Sequence, residues 1–569
     1  MAETVTAHVL RRLNEVGVND VFGVAGDYAF PVNDAIVEHP AISWIGCCNE
    51  LNAAYAADGY ARMRGVGAVC TTYGVGELAA MSGIAGSYAE HLAVFHLVGT
   101  PNLATQEGRA LVHHTLGNGE FDLFHRMAEP IVCASAIMTP QNAAAETERL
   151  IAAALYHRRP VYMAISSDVA EMPVLGAAPS PSAPSSVPES LAAASDAVLA
   201  ALTNAGQACV LPGLLLRRLG LHGAAVAFVD ASGLPFATMF ADKSVLGEDH
   251  PNYIGMYVGR LMGETVRAFV ESCDVVVMIG AMLTDGNTAG HTVRLDPDKI
   301  ITIGHHRTTV GSVVYRNVEM ADMLVQLTVP ITKRVQRPAI APQTLGPVVG
   351  GGEDPITADA LYPRWADFFR PDDVILTDTG TSSLGLTFAQ LPNGAEFHNQ
   401  TPLGVDRMGD PGGVRRRDRC AGSSTNPDYR RRFSPDDRSG DQPVRSARAA
   451  ADYLRAQQLW LSQRANAVQG HDPGLQRCRG LELCGASPRH GLSGVVHCPC
   501  EQLRRARRRA RGGRASRGCR LHRSRHRRLR GATAVQEAAR ERRSVLQHPV
   551  VGPPHALVPP STVRLAPVM

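Results

Sequence analysis

Residues able to do chemistry fall in a few short stretches. Gly26-Asp27-Tyr28 directly follows an apolar run, 20–24, that reads as a buried strand. Parallel α/β sheets present ligands at the carboxyl ends of their strands, which is where Asp27 would stand. The plain alternative is a turn whose Asp caps a helix. Glu50 follows Cys47-Cys48-Asn49 and opens an Ala-rich helical stretch, 50–63. A helix start favours an acid through the macrodipole, whatever else that acid does. His113-His114 precede the glycine-flanked turn Gly117-Asn118-Gly119. Imidazoles so placed offer general acid and base groups near neutral pH, although exposure on a surface is the usual fate of histidine. A metal site is less attractive there, since no neighbouring Cys or Asp completes an ordinary ligand spacing. The sequence assigns no metal ligand.

These residues need a frame to hold them. Residues 5–16 carry a helical apolar stripe, and 66–72 reads as a strand followed by Tyr73-Gly74-Val75-Gly76. Further strands are expected at 93–98, 131–134 and 160–166. Strands interleaved with helices imply a parallel sheet covered on both faces, hence an α/β fold. The spacing yields an amino-terminal α/β domain over 1–178 and a Pro/Ser/Ala-rich linker over 179–190. A central α/β domain covers 191–337, with strands near 208–211, 275–279 and 300–303. A second linker spans 338–354. A third unit, 355–403, opens with a helix at 357–369 and a strand at 374–377, then Asp378-Thr379-Gly380-Thr381.

The 569 residues and 45% hydrophobic content suit a multidomain globular protein. No apolar run is long enough for a bilayer, and the first residues lack the apolar core of a signal peptide. A cytoplasmic protein with no membrane partner is expected. Twelve cysteines without regular spacing imply thiols rather than a disulfide framework. Charge is distributed unevenly. Of 57 basic residues only Lys243, Lys299 and Lys333 are lysines, leaving 54 arginines, of which 34 lie in 404–569. Beyond Leu403 neither the helical nor the strand period persists.

Together, Gly26-Asp27-Tyr28, the run Asn-Glu-Leu-Asn-Ala-Ala-Tyr-Ala-Ala-Asp-Gly-Tyr-Ala-Arg (49–62), Thr-Tyr-Gly-Val-Gly (72–76) and His-His-Thr-Leu-Gly-Asn-Gly (113–119) resemble the pyruvate and indolepyruvate decarboxylases. These are alpha-keto-acid decarboxylases that use thiamine diphosphate. Leu-Pro-Phe-Ala-Thr (234–238) through Asp-Lys-Ser (242–244), and Leu-Thr-Asp-Gly-Asn-Thr (283–288), resemble their middle domain. Thr379-Gly380-Thr381-Ser382 resembles the start of their last. The likeness spans roughly 4–403.

It implies a three-domain architecture of parallel sheets flanked by helices, self-associated as a dimer or tetramer, with the cofactor between subunits. It further implies non-oxidative conversion of a small 2-oxo acid to an aldehyde through the cofactor's ylide and enamine, with the cofactor as electron sink. Glu50 matches the acid that bonds the aminopyrimidine. Asp27, His113 and His114 match residues that handle protons around the reacting carbon. Thr72, Thr379, Gly380 and Thr381 match positions near the cofactor. An acetolactate-synthase-like carboligase is a lesser alternative, which the histidine pair disfavours.

The family also needs Gly-Asp-Gly and then Asn-Asn-x-Gly-Tyr, whose Asp and Asn hold a magnesium ion through hard oxygen ligands. Neither motif occurs in residues 404–569. A frame slip accounts for this. With plausible GC-rich codons and the first base of Val405 discarded, 405–417 permits S-I-G-W-A-T-P-A-A-F-G-A, the W being forced by Met408-Gly409. In the same phase 428–432 permits T-T-G-D-G and 452–461 permits I-I-F-V-L-N-N-S-G-Y. Loss of two bases near Leu403 suffices.

The expectation is therefore a truncated third domain, an irregular or disordered stretch over 404–569, and an inactive chain as written. The rival is a non-catalytic protein with decarboxylase-like domains and a basic tail for nucleic acid. Arg clusters such as 504–511 invite it, but lysine and interleaved aromatics are absent, so no nucleic-acid partner is expected. Cys498, Cys500, Cys519 and His522 fit no ordinary zinc spacing.

Overall fold

A computed structural model describes residues 2–179, 184–261, 263–334 and 338–403, and the backbone alone of Val414–Arg416. The first sheet is wholly parallel. Its strands are β1 (Asp20–Gly23), β2 (Ser43–Gly46), β3 (Val66–Thr72), β4 (Ala93–Thr100), β5 (Ala134–Ile137) and β6 (Val161–Ser166), in the spatial order β2-β1-β3-β4-β6-β5. β3, β4 and β6 are buried along their whole lengths because helices cover both faces. That is why their sequences are nearly continuous apolar runs. On one face Val9, Leu10 and Leu13 pack over Phe95 and Leu97; on the other, Ala53, Ala54 and Ala57 pack near Val69 and Ile84.

The second sheet has β7 (Ala208–Pro212), β8 (Phe236–Thr238), β9 (Tyr253–Met256), β10 (Val275–Ile279), β11 (Ile300–Ile303), β12 (Arg307–Val310) and β13 (Val313–Arg316). Its order is β13-β12-β11-β10-β7-β8-β9. It departs from the expected all-parallel arrangement at one edge, where β12 and β13 run antiparallel. The cause is local: Gly311-Ser312 joins Val310 to Val313 as a two-residue hairpin loop, which permits only antiparallel pairing. In the third unit β14 (Asp373–Leu376) pairs in parallel with β15 (Glu396–His398), and the backbone of β16 (Val414–Arg416) runs antiparallel beside β14. Apart from β16, the expected irregularity of 404–569 lies outside the described residues. No described helix is long and apolar enough to cross a membrane.

The helix Glu50–Arg64 owes its ends to local chemistry. Asn49 accepts from the Asn52 N–H at 2.8 Å, and Gly65 closes the other end in the left-handed conformation. Near that end Asp58 and Arg62 pair across one turn, Nε to Oδ1 2.7 Å, and both are buried. Arg62 also donates to the Asn399 carbonyl (3.1 Å) and lies 3.4 Å from Glu90. From the central unit Arg218 reaches the same Glu90, bonding its carbonyl at 2.9 Å and its carboxylate at 3.3 Å. The Thr401 N–H donates to the other Glu90 oxygen at 3.1 Å. Ser87 bonds the second oxygen of Asp58 at 2.8 Å.

Two acids and two arginines thus neutralise one another where the three units meet. Burial alone would lower the Arg62 pKa, but Asp58 and Glu90 outweigh it and hold the guanidinium above its ordinary value. Arg218, buried, beside the Arg62 charge and paired directly only with Glu90, is lowered to about 10. Replacing one partner strands the others in a dry interior. Arg62→Met is expected to cost about 3–5 kcal/mol. The check is a fall in the urea midpoint with the slope unchanged; a shift equivalent to less than about 1 kcal/mol would refute the assignment.

Candidate active site

β1 and β3 are neighbours, so the residues leaving their carboxyl ends emerge side by side. β1 runs through Val24-Ala25-Gly26 into a short 3-10 turn, Asp27–Ala29. β3 ends at Thr72, and the helix Val75–Ala89 starts three residues later. The two exits nearly touch. A Cβ on Gly26 would lie 2.5 Å from Thr72 Cβ, and one on Gly76 would lie 3.1 Å from Thr72 Cγ2 and 3.3 Å from Glu50 Oε1. Glycine at both positions lets the Asp27 turn, the Thr72 exit and the Glu50 helix start share one small space.

The histidine loop closes over this place from Asp27. His113 Nε2 hydrogen-bonds Asp27 Oδ2, and His114 Nε2 stands 3.5 Å from Oδ1, so one carboxylate sits between two imidazoles. Tyr28 stacks on His113 with ring centroids 4.9 Å apart, and its hydroxyl lies 3.4 Å from both the His113 Nδ1 and carbonyl oxygen. His114 has φ +61°. Its carbonyl oxygen presses on Gly74, itself at φ +65°, where any Cβ would overlap that oxygen. Burial tends to raise the Asp27 pKa, but the His113 hydrogen bond, the Tyr28 N–H and the two imidazoles outweigh it and hold it below the usual carboxylate value. Burial and the Asp27 charge raise the Tyr28 hydroxyl. Asp27 and His113 have side chains 40% and 59% exposed, so the cluster faces outward and can trade protons with an incoming molecule.

Residues expected far apart in sequence are therefore brought together: Asp27, Glu50, Thr72, His113 and His114 form one site on the amino-terminal sheet. Thr379, Gly380 and Thr381 belong to a different sheet. They follow β14, with Thr379 Oγ1 donating to the Gln400 carbonyl at 3.3 Å and Gly380 opening the helix Thr381–Thr387 at φ +135°. Tyr362 OH bonds the Thr381 carbonyl at 2.8 Å.

Glu77 was not singled out by the sequence reading. It is fully buried; Oε1 accepts the Gly74 N–H at 2.8 Å and Oε2 accepts the Tyr162 hydroxyl at 2.8 Å. It thereby fixes the turn against which His114 leans. The sequence signal was an acid at the third position of a helix whose cap is Gly74, half of a capping box. Burial pushes its carboxyl up to about 7, against the opposing hydrogen bonds from Gly74 and Tyr162.

The polar groups suit an aminopyrimidine. Thr72 Oγ1 is buried with no hydrogen-bond partner, and the Glu50 carboxylate lies across Gly76 from it at a helix start. A ring offering both donor and acceptor nitrogens satisfies the two together.

The fold is that of a thiamine pyrophosphate enzyme. Residues 3–123 match the family model for the thiamine pyrophosphate enzyme N-terminal TPP binding domain, and 195–326 that for its central domain. An alpha-keto-acid decarboxylase of Mycobacterium ulcerans is 40% identical over 402 residues, covering 70% of this chain and 71% of that protein. Those of Mycobacterium tuberculosis and Mycobacterium avium are 39% and 38% identical over 402 and 406 residues, covering 70% of this chain and 72% of each. The chain belongs to the thiamine-diphosphate-dependent 2-oxo-acid decarboxylase family.

The raised Glu77 pKa has a signed consequence. Its unfolded value is near 4.5 and its folded value about 7, so its contribution to stability is complete below pH 4.5, declines as pH rises and is gone above about 7. The swing is on the order of 3 kcal/mol. Glu77→Gln should flatten that decline, matching the parent at pH 4.5 and exceeding it at pH 8 in thermal unfolding. Parallel pH profiles for the two proteins would contradict this.

Proposed function

We propose that the gene encodes a non-oxidative decarboxylase that converts a 2-oxo acid and a proton to an aldehyde and carbon dioxide, and that residues 1–403 carry the pyrimidine side of its site. The observation that carries this is Asp27 clasped by His113 and His114, within one glycine-lined space of Glu50 and the unpartnered Thr72 hydroxyl. Thiamine diphosphate, when bound, supplies an electron sink for the carbon that loses carbon dioxide.

The chain's own residues then have distinct tasks. Glu50 accepts a hydrogen bond from a pyrimidine nitrogen, and the helix start keeps its charge favourable. Thr72 fills the second polar contact of that ring. Asp27, His113 and His114 pass a proton to and from the reacting carbon and the departing aldehyde oxygen; the low Asp27 pKa keeps this acid ionised, so it orients the imidazoles. Thr379, Gly380 and Thr381 serve the diphosphate side. Magnesium is the ion for that side, held by a carboxylate and an amide of the frame-restored protein.

Self-association as a dimer or tetramer would cover the open face of the cluster. Phe30, Val75, Leu111 and Leu116, all near it in sequence, are more than half exposed, a rim suited to another copy of the protein. A cytoplasmic location accords with twelve cysteines that lack the regular spacing of a disulfide framework.

The test compares two proteins, the chain as written and one with two bases restored after codon 403, each given thiamine diphosphate, magnesium and a panel of pyruvate, branched-chain and aromatic 2-oxo acids. Aldehyde should form only with the restored protein. In it, Glu50→Gln and Asp27→Asn should each lower kcat by about 10²–10⁴. Turnover by the chain as written overturns the frame-slip reading; a restored protein that decarboxylates none of the acids overturns the decarboxylase reading.

A further inference from the structure

A second histidine cluster lies far from Asp27 in sequence, at the seam of the amino-terminal and central units. His305 and His306 occupy the turn between β11 and β12, and Glu319 immediately precedes the helix Met320–Thr328. Main-chain bonds lock the two segments together: the Val318 N–H donates to the His306 carbonyl and the Met320 N–H to the His305 carbonyl, each at 3.3 Å. The Ser186 hydroxyl accepts the Glu319 N–H at 2.8 Å. The imidazoles stack with centroids 3.7 Å apart, and His306 Nδ1 lies 3.3 Å from Glu319 Oε2. One nitrogen from each ring and one carboxylate oxygen all lie within 4.8 Å of one another. Across the seam the Tyr156 hydroxyl donates to Glu319 Oε1 at 2.8 Å and lies 2.7 Å from His306 Nδ1, so it touches both the carboxylate and the imidazole.

We propose that His305, His306 and Glu319 form a binding site for a zinc-type divalent transition ion, oriented from the amino-terminal unit by Tyr156.

Two imidazoles and one carboxylate are a recognised zinc donor set, and the fourth position is left for water. The spacing fits. Zinc–nitrogen and zinc–oxygen bonds of about 2.0–2.1 Å require donor atoms roughly 3.3 Å apart in a tetrahedron, the His306 Nδ1–Glu319 Oε2 separation, and an ion there would take the place of the Tyr156 contact to that nitrogen while His305 closes in from within 4.8 Å. Hard ions such as magnesium prefer oxygen alone and are excluded by the two nitrogens. Tyr156 supplies the outer hydrogen bond that carboxylate ligands of metals ordinarily receive. His306 is 37% exposed, which gives an ion a way in.

The experiment uses the full chain, stripped with a chelator, and zinc chloride as probe. Titration calorimetry at pH 7.5 should include a zinc event that Glu319→Gln and His306→Gln each weaken at least tenfold, that His113→Ala leaves unchanged, and that millimolar magnesium does not displace. Affinity unaltered in both cluster variants would sink the proposal. Should those variants misfold, the unaltered chain gives a second reading: zinc should protect His305 and His306 from diethyl pyrocarbonate, scored peptide by peptide by mass spectrometry. Equal modification with and without zinc would overturn it.

Discussion

Four buried charges govern this molecule. Asp58, Arg62, Glu90 and Arg218 lie where the three α/β units meet, and each unit contributes to their satisfaction: a helix of the first, an arginine of the second, and the Asn399 carbonyl and Thr401 N–H of the third. Such a group is costly to desolvate and tolerable only when complete. Its significance for the site is geometric. The helices Glu50–Arg64 and Val75–Ala89 each have a site-facing acid in their first turn, Glu50 and Glu77, while Asp58, Arg62, Ser87 and Glu90 lie toward their far ends. Each helix is 15 residues long, about 22 Å at 1.5 Å per residue. The two pack so closely that a Cβ on Gly83 would lie 2.5 Å from Ala54 Cβ. Anchoring the far ends against the other units therefore fixes the starts, and with them the carboxylates.

At the near ends the constraint is steric. Gly26, Gly74 and Gly76 remove the side chains that would otherwise separate Asp27, Thr72, Glu50 and the His114 carbonyl. Glu77 then holds the Gly74 turn from beneath with a carboxyl that has no exposure to water. Asp27, His113 and His114 sit above, open on one face. Rigidity below and exposure above let the cluster keep its mutual geometry while remaining open to an approaching molecule.

Much of this was legible in the sequence. The strands β3, β4 and β10 announce themselves because burial on both faces demands nearly unbroken apolar runs, and the helix Glu50–Arg64 because alanines and an asparagine cap specify it. β2 and β8 escaped notice: Ser43–Gly46 is a half-exposed edge and Phe236–Thr238 has only three residues, so neither develops a period. β12 and β13 escaped because a hairpin at the edge of a parallel sheet breaks the expected alternation with helices. Asp27, Glu50, Thr72 and His113-His114 are singled out as candidates by their order along the chain, yet the contact of Asp27 with a histidine 86 positions away arises only once the sheet is folded. Glu77 and the pair His305-His306 were passed over, since an acid at a helix start and two histidines in a turn have ordinary explanations until burial and neighbours are known.

The third unit displays the same logic from the opposite side. Its described part holds a small cluster, Phe369, Ile375, Leu386, Leu391 and Phe397, around a parallel pair of strands. Parallel pairs are stable when helices and further strands bury both faces. Residues 404–569 carry 34 arginines and no lysine, and their sequence keeps neither the helical nor the strand period. Beyond Leu403 the apolar pattern that specified the three sheets stops, and with it the sequence basis for extending the β14–β15 pair, apart from the three residues of β16.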